Sequence, residues 1–325
     1  MADTNIAIES FGDRFDRIVT NVETVIQGKR EAIVLMVLAM VSEGHVLIED
    51  VPGVGKTQLA KSLARSIDGA FHRIQFTPDL LPSDVTGVSV WDRQAGGFEF
   101  KPGPIFANVV VGDEINRASP KTQSALLEAM EERQVTSDGT TRPLGPPFMV
   151  IATQNPLEHE GTYPLPEAQL DRFMMRVSIG YPSREKELEM LNTHGVRSTF
   201  FDLDPVASLE EVQEMVDVAR QITVSPGVKN YIVDIIEGTR LHPDVLLGAS
   251  PRSALFLQRI SRSRAAAEGR DYVMPDDIKD LAVPVLEHRL ALRPEAQMRG
   301  ETITGIIDDV MERTRVPGTT SRIAT

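Results

Sequence analysis

The stretch Val46-Leu-Ile-Glu-Asp-Val-Pro-Gly-Val-Gly-Lys-Thr57 constrains this chain more than any other. A short apolar run stops, a glycine-rich turn follows, and Lys56 and Thr57 open the helix-compatible run Gln58-Leu-Ala-Lys-Ser-Leu-Ala. Triphosphate binding needs that order. Successive backbone N–H groups curl around a β-phosphate and the helix N-terminus adds its positive end; Lys56 neutralises β/γ oxygens and Thr57 holds Mg²⁺. The expected nucleotide contacts are Pro52, Gly53, Val54, Gly55, Lys56, Thr57 and Gln58. The pattern G-x-x-x-x-G-K-[ST] is missed at one place, because Asp50 stands where its first glycine belongs. That position lies at the strand exit, outside the cradle.

A second motif supports the first. Val109-Val-Val-Gly-Asp-Glu114 is a continuous apolar run ending in adjacent carboxylates, the pattern of a strand covered on both faces of a parallel sheet. At such a strand end, downstream of a Lys-Thr loop, Asp113 is expected to hold Mg²⁺ through water and Glu114 to polarise the attacking water. With Thr57 and Asp113 as its metal residues, the chain reads as a nucleoside triphosphatase.

Composition bounds the remaining classes. A chain of 325 residues suggests about two domains. It has no cysteine, which excludes a disulfide framework or a thiolate metal site and fits a reducing cytoplasm. The N-terminus is acidic and lacks the form of a signal peptide. The longest apolar run, Ala32 to Val41, falls short of the ~20 residues that span a bilayer, so no membrane insertion is expected. A net charge of −13 disfavours nonspecific binding to nucleic acid. The basic patch Arg259, Arg262, Arg264 and Arg270 reads as a solvated or intersubunit helix face. Glu158-His159-Glu160 lacks the histidine spacing of helical zinc sites, and the six histidines are scattered, so no metal beyond Mg²⁺ is expected.

Along the first half, strand and helix signals alternate, which implies a parallel α/β sheet with helices on both faces. Helices are expected at Lys29–Ser42, Lys56–Ile67 and Pro120–Glu132. Strands are expected at His45–Ile48, Phe71–Phe76, Val109–Val111, Phe148–Thr153 and Met174–Ile179. Two hairpins interrupt the alternation: Val88–Trp91 with Phe98–Phe100 around Gly96-Gly97, and Gln134–Arg142 around Asp138-Gly139. After Pro182 the strands are expected to vanish. A capping box at Ser208–Glu211 opens a series of helices, with further ones at Gly227–Leu241, Pro251–Glu268, Pro275–Leu290 and Glu301–Thr314. The expected domains are 1–182 (nucleotide-binding), 183–316 (an all-α lid) and a frayed tail, 317–325.

These residues converge on a family. Asp50–Thr57, Pro102–Phe106, Asp113–Ala118 with Pro120–Met130, Ala152–Pro156 and Gly161–Phe173 together resemble a MoxR-type AAA+ ATPase over nearly the whole chain. The resemblance implies a hexameric, ATP- and Mg²⁺-dependent ring with a helical lid, whose two hairpins face the pore or a partner. It implies that Gln27 and Gly28 border the adenine and that Asn155 is sensor 1, although asparagine before proline is also ordinary turn chemistry. It makes Arg172 the arginine finger offered to a neighbour's ATP; a plain salt bridge to Asp171 or Glu167 is the alternative. Arg252 matches sensor 2, where an arginine opening a helix opposes the macrodipole. Arg117 is a further candidate at the subunit interface.

The leading expectation is a chaperone-like remodelling ATPase in the cytoplasm, acting on protein clients with a von Willebrand factor A domain partner. The ATPase subunit of a magnesium-chelatase-like complex shares the ring and both hairpins. A nucleic-acid motor would want a basic hairpin lining, and Arg93, Lys101 and Arg142 are too few to favour one. A nucleotide-gated scaffold is disfavoured by the complete set of Lys56, Thr57, Asp113 and Glu114.

Overall fold

A computed structural model of the chain describes residues 2–51, 53–94, 96–154, 162–182, 184–185, 188 and 203–318. The chain divides into two compact units, one of residues 14–173 and 177–214, the other of 1–13, 174–176 and 215–325. No described helix is long and apolar enough to cross a membrane.

The main sheet has five strands, in the order β2 (Phe71–Gln75), β5 (Val109–Asp113), β8 (Met149–Gln154), β1 (Val46–Glu49) and β9 (Met175–Val177); the first four belong to the first unit. Strands β2, β5, β8 and β1 pair in parallel. Every residue of β5 is buried, as are Val46–Ile48 and Met149–Thr153. Continuous apolar strands of this kind need cover on both faces. Part of it is α2 (Arg30–Val41), apolar around its whole circumference, with Ala32, Ile33 and Met36 to Val41 buried. Helix α3 (Lys56–Ser66) follows β1 directly, and α5 (Pro120–Glu132) starts with proline after Ser119, whose hydroxyl caps the Thr122 amide. Each expected strand and helix of this half is present, with ends shifted by a few residues.

Sequence reading missed α1 (Ala2–Glu23). Its signal was present: Ile8, Phe11, Phe15, Ile18, Val19 and Val22 recur at helical spacing and are buried. The short helices α4 (Pro82–Thr86) and α6 (Glu167–Leu170) carry too few residues to show a period.

Both hairpins form. Strands β3 (Gly87–Asp92) and β4 (Gly97–Pro102) pair Ser89 with Phe100 and Trp91 with Phe98. Strands β6 (Gln134–Ser137) and β7 (Thr140–Pro143) turn through Asp138 at φ 52° and Gly139 at φ 72°, the two positive angles of a type I′ turn. The hairpins also touch each other. The Arg142 guanidinium lies 3.8 Å from the Phe100 ring centroid, and Ser89 hydrogen-bonds Asp138, holding its carboxyl below the usual range. Trp91 and Phe98 meet edge to face at 5.2 Å and remain 53% and 75% exposed.

The second unit is helical. Ser225 and Thr302 cap the helices Pro226–Leu241 and Ile303–Arg313; Pro251–Ala267 and Pro275–Leu286 also begin with proline. At the end of the first unit, the capping box before helix Leu209–Gln221 closes as expected: the Ser208 amide donates to Glu211 at 2.9 Å, and the Glu211 amide to Ser208 Oγ at 3.2 Å. Strands do not vanish after Pro182, however. Val245–Leu247 (β10) and Ala291–Leu292 (β11) form a small antiparallel ribbon, too short for alternation to reveal. Within the arginine patch, Arg264 pairs with Glu268, while Arg270 binds Asp277 and Glu268.

His45, unremarkable in sequence, joins two elements of the first unit. The Val150 amide donates to its Nδ1 at 2.9 Å, and its Nε2 lies 3.0 Å from the Met130 carbonyl. An Nε2–H tautomer satisfies both contacts, so the ring is neutral. Burial lowers its pKa from the ordinary 6.5 to about 4. Between those values the unfolded chain binds a proton that the folded chain refuses. The stabilisation is therefore complete above pH 6.5 and is lost as pH falls towards 4, by on the order of 3 kcal/mol. His45→Gln, which keeps one acceptor and one donor, should flatten urea-unfolding free energies across that window. An unchanged slope would assign the acid sensitivity elsewhere.

Candidate active site

Register builds this site. Gln75 of β2 is paired with Asp113, Gly112 of β5 with Ala152, and Glu49 of β1 with Gln154. The C-terminal ends of four parallel strands thus lie side by side, where open α/β sheets bind ligands. They border a cleft of about 470 Å³, lined from the loop by Gly53, Gly55, Lys56, Thr57 and Gln58, and from strand ends by Arg73, Gln75, Asp113, Glu114 and Thr153.

The loop after β1 has the conformation its glycines allow. Gly53 has φ 87° and Gly55 φ 91°, both left-handed, and a Cβ at either would meet nothing within 4 Å. Gly55 is the N-cap of α3 and supplies no side-chain cap, so the first amides of that helix are left for an anion. Lys56 Nζ donates to the Asp50 carbonyl. Desolvation lowers its pKa, against the opposing pull of Asp50, Asp113, Glu114 and Glu49.

Asp50, the departure from the loop pattern, has a structural task of its own. Its Oδ2 accepts the backbone amides of Ile179 and Gly180 (2.8 Å) and the Ser178 hydroxyl (3.2 Å). A glycine could not tie the loop's entrance to the segment after β9, and nothing in the sequence pointed to that contact.

The acid pair sits opposite. Asp113 is 8% exposed. Its Oδ1 accepts Thr153 Oγ1 at 3.2 Å; its Oδ2 lies 2.5 Å from Arg73 Nε and 3.4 Å from Thr57 Oγ1. Glu114 adopts left-handed angles, φ 57° and ψ 50°, strain of the kind that gathers at functional sites. Its amide donates to Thr153 Oγ1 at 3.0 Å, while Oε2 accepts Gln75 Nε2 at 2.8 Å and Arg117 at 2.9 Å. Gly112 precedes the pair because a Cβ there would lie 2.9 Å from the Phe76 ring.

The structure thus brings Lys56, Thr57, Gln58, Asp113 and Glu114 together, and adds Arg73, Gln75 and Thr153. The β2 residues were missed because sequence shows no register, and Arg73 and Gln75 look like solvated positions on an edge strand. Thr57 and Asp113, with oxygens 3.4 Å apart, are donors of the kind Mg²⁺ takes. Arg117, a candidate for the subunit interface, pairs with Glu114 of its own chain. Arg172 pairs with Glu131 on α5 at 2.9 Å. Arg252 sits in the first turn of helix Pro251–Ala267, in the other unit. Gln27 has a buried Oε1 without a hydrogen-bond partner, and Gly28 follows at φ 71°. Pro52, Asn155 and Glu158-His159-Glu160 lie outside the described residues.

A parallel sheet with a phosphate loop after β1 and an acid pair after β5, in a chain that continues into a helical domain, defines an AAA+ ATPase fold. Comparison with known proteins agrees. Residues 45–175 match the ATPase family associated with various cellular activities (AAA), and residues 237–310 match the AAA lid domain. The chain is 50% identical to Bacillus subtilis YeaC over 92% of its length and 93% of that protein's. It is 39% identical to Mycobacterium tuberculosis chaperone MoxR1, covering 93% of this chain and 82% of that one. A crystal structure from Cytophaga hutchinsonii superposes with a TM-score of 0.91 at 38% identity, covering 97% and 98% of the two chains. The chain belongs to the MoxR family of AAA+ ATPases.

Restoring the loop's textual pattern should harm it. Asp50→Gly leaves two backbone amides without their acceptor, at a cost of about 1–3 kcal/mol in urea unfolding, and should weaken nucleotide binding in a fluorescence titration. Equal or greater stability would refute the tie between Asp50 and Ile179–Gly180.

Proposed function

We infer that the chain hydrolyses ATP to ADP and phosphate as a ring-forming, chaperone-like remodelling enzyme. The observation that carries this reading is the convergence of Lys56, Thr57, Asp113 and Glu114, from two separate strand ends, on one cleft. The free α3 amides and Lys56 would bind the β- and γ-phosphates, and Thr57 and Asp113 would hold Mg²⁺. Bound Mg²⁺ supplies positive charge that offsets the charge on the transferring phosphoryl group. Glu114 accepts a proton as water oxygen bonds to the γ-phosphorus and the bond to the ADP oxygen breaks. Asn155 would orient that water, and Arg252 would reach the phosphates as sensor 2. Gln27 and Gly28 would border the adenine.

A ring needs a residue that reads the neighbour's nucleotide, and Arg172 is our candidate. It would exchange Glu131 for a γ-phosphate across a subunit interface, in a hexamer by analogy with the family. Protein clients and a von Willebrand factor A domain partner are also read from the family, and a relative named as a chaperone supports the client class. The exposed Trp91–Phe98 pair on the first hairpin is the surface we assign to them, since exposed aromatics favour protein contact. The absence of cysteine supports a cytoplasmic setting, and the acidic net charge argues against a nucleic-acid track.

Lys56→Ala should abolish nucleotide binding, whereas Glu114→Gln should bind ATP without turnover; a binding titration beside steady-state phosphate release decides both. Wild-type turnover in Glu114→Gln would remove that residue from the mechanism. Arg172→Ala should bind ATP normally and lose on the order of 10³-fold in turnover. Mixing it with Glu114→Gln subunits should restore activity at mixed interfaces, and no rescue in an assembled ring would leave Arg172 as a partner of Glu131 alone.

The hairpin assignment has its own check. Trp91→Ala with Phe98→Ala should keep phosphate release within about twofold, because both side chains are exposed surface positions. The pair should lose capture of a von Willebrand factor A domain protein by ATP-locked Glu114→Gln. Undiminished capture would move the contact elsewhere.

A further inference from the structure

Arg73 has no role in the mechanism above, yet it makes the closest contact to the carboxylate that mechanism assigns to Mg²⁺. We propose that Arg73 is a stand-in cation: it neutralises and positions Asp113 while the metal is absent, and it competes with Mg²⁺ for the same carboxylate. The inference rests on the reading of Thr57 and Asp113 as the metal-holding pair.

Geometry carries it. Asp113 is nearly buried, and a carboxylate in that position is costly without a positive partner. Thr153 and Thr57 offer only neutral hydroxyls, at 3.2 and 3.4 Å. Lys56, the loop's own cation, donates to the Asp50 carbonyl. The ion pair to Asp113 comes from Arg73, with Nε 2.5 Å from Oδ2. That oxygen is also the one facing Thr57 Oγ1. A metal held by Thr57 and Asp113, directly or through water, would therefore sit beside the oxygen that Arg73 holds, against the repulsion of its guanidinium. Half of the Arg73 side chain is exposed, so it has room to withdraw into the cleft it lines.

The same arginine is linked to the general base. Its NH2 donates to Gln75 Oε1 at 2.9 Å, and Gln75 Nε2 donates to Glu114 Oε2 at 2.8 Å. Arg73 and Gln75 are two residues apart on β2 and so face the same side of the sheet. When Arg73 leaves Asp113, Gln75 loses the donor that fixes its amide, and its hold on Glu114 loosens. Metal arrival at one carboxylate is in this way relayed to the other.

The experiment uses the full chain and Mg²⁺ as the probe, with Arg73→Ala, Arg73→Gln, Arg73→Lys and Asp113→Asn beside wild type. Melting of the nucleotide-free protein is compared in EDTA and in Mg²⁺ alone, and binding of a fluorescent ATP analogue is followed across a Mg²⁺ titration. Arg73→Gln retains an amide donor without charge and keeps the test open if Arg73→Ala does not fold. In both neutral variants Mg²⁺ alone should raise the melting temperature more than it does in wild type. The Mg²⁺ midpoint for nucleotide binding should fall about 3- to 10-fold, while Arg73→Lys stays near wild type. An unchanged or higher midpoint in the neutral variants, with Asp113→Asn raising it, would overturn the competition and leave Arg73 as a purely structural partner. If Asp113→Asn leaves the Mg²⁺ dependence unaltered, Asp113 is not the metal's residue and the underlying reading fails with the proposal.

Discussion

Asp113 is the point on which this structure turns. A carboxylate at the end of a fully buried strand has to be met by groups that come from elsewhere in the chain. Arg73 arrives from β2, Thr57 from the start of α3 and Thr153 from β8. The parallel register that aligns those strand ends therefore does two things together: it satisfies a buried charge and it assembles a phosphate-handling cleft. The covering elements have to let β5 run buried to its end and β8 as far as Thr153. The left-handed backbone at Glu114 is the local strain that accompanies this arrangement.

The phosphate loop is held by the same logic. Its glycines leave amides pointing into the cleft, but glycine supplies no side chain to fix where the loop begins. Asp50 supplies it, through the amides of Ile179 and Gly180. Lys29 Nζ adds a bond to the Tyr181 carbonyl at 2.8 Å in the same segment. The residue that breaks the loop's sequence pattern is thus an anchor for the loop. In the same way Lys56, Asp113 and Glu114 are all engaged by neighbours of their own chain, so binding nucleotide means exchanging existing contacts for new ones.

The hairpins show how a local signal acquires a tertiary meaning. Asp138-Gly139 predicts a tight turn because two consecutive positive φ angles suit few other residue pairs. The stacking of Arg142 on Phe100 depends on where β7 and β4 come to rest, and neither strand encodes that alone. The result is a pair of joined ribbons with Trp91 and Phe98 on the outside.

The sequence by itself determined the strand–loop–helix unit at Val46–Ile67, the acid-tipped strand at Val109–Glu114, both hairpins and most of the helices that follow. Each depends on neighbours a few residues away: apolar period, turn glycines, proline at a first helical turn, a capping serine. The AAA+ fold was legible because those local units occur in a fixed order. Tertiary structure alone decided which side chains answer the buried charges. Arg73 and Gln75 became part of the site through the pairing of β2 with β5, Arg117 turned towards its own Glu114, and Arg172 found Glu131. The short ribbon of Val245–Leu247 with Ala291–Leu292 belongs to the same class. Such partners are chosen by strand register and by the desolvation of particular atoms, and neither quantity has a period that can be read along a chain.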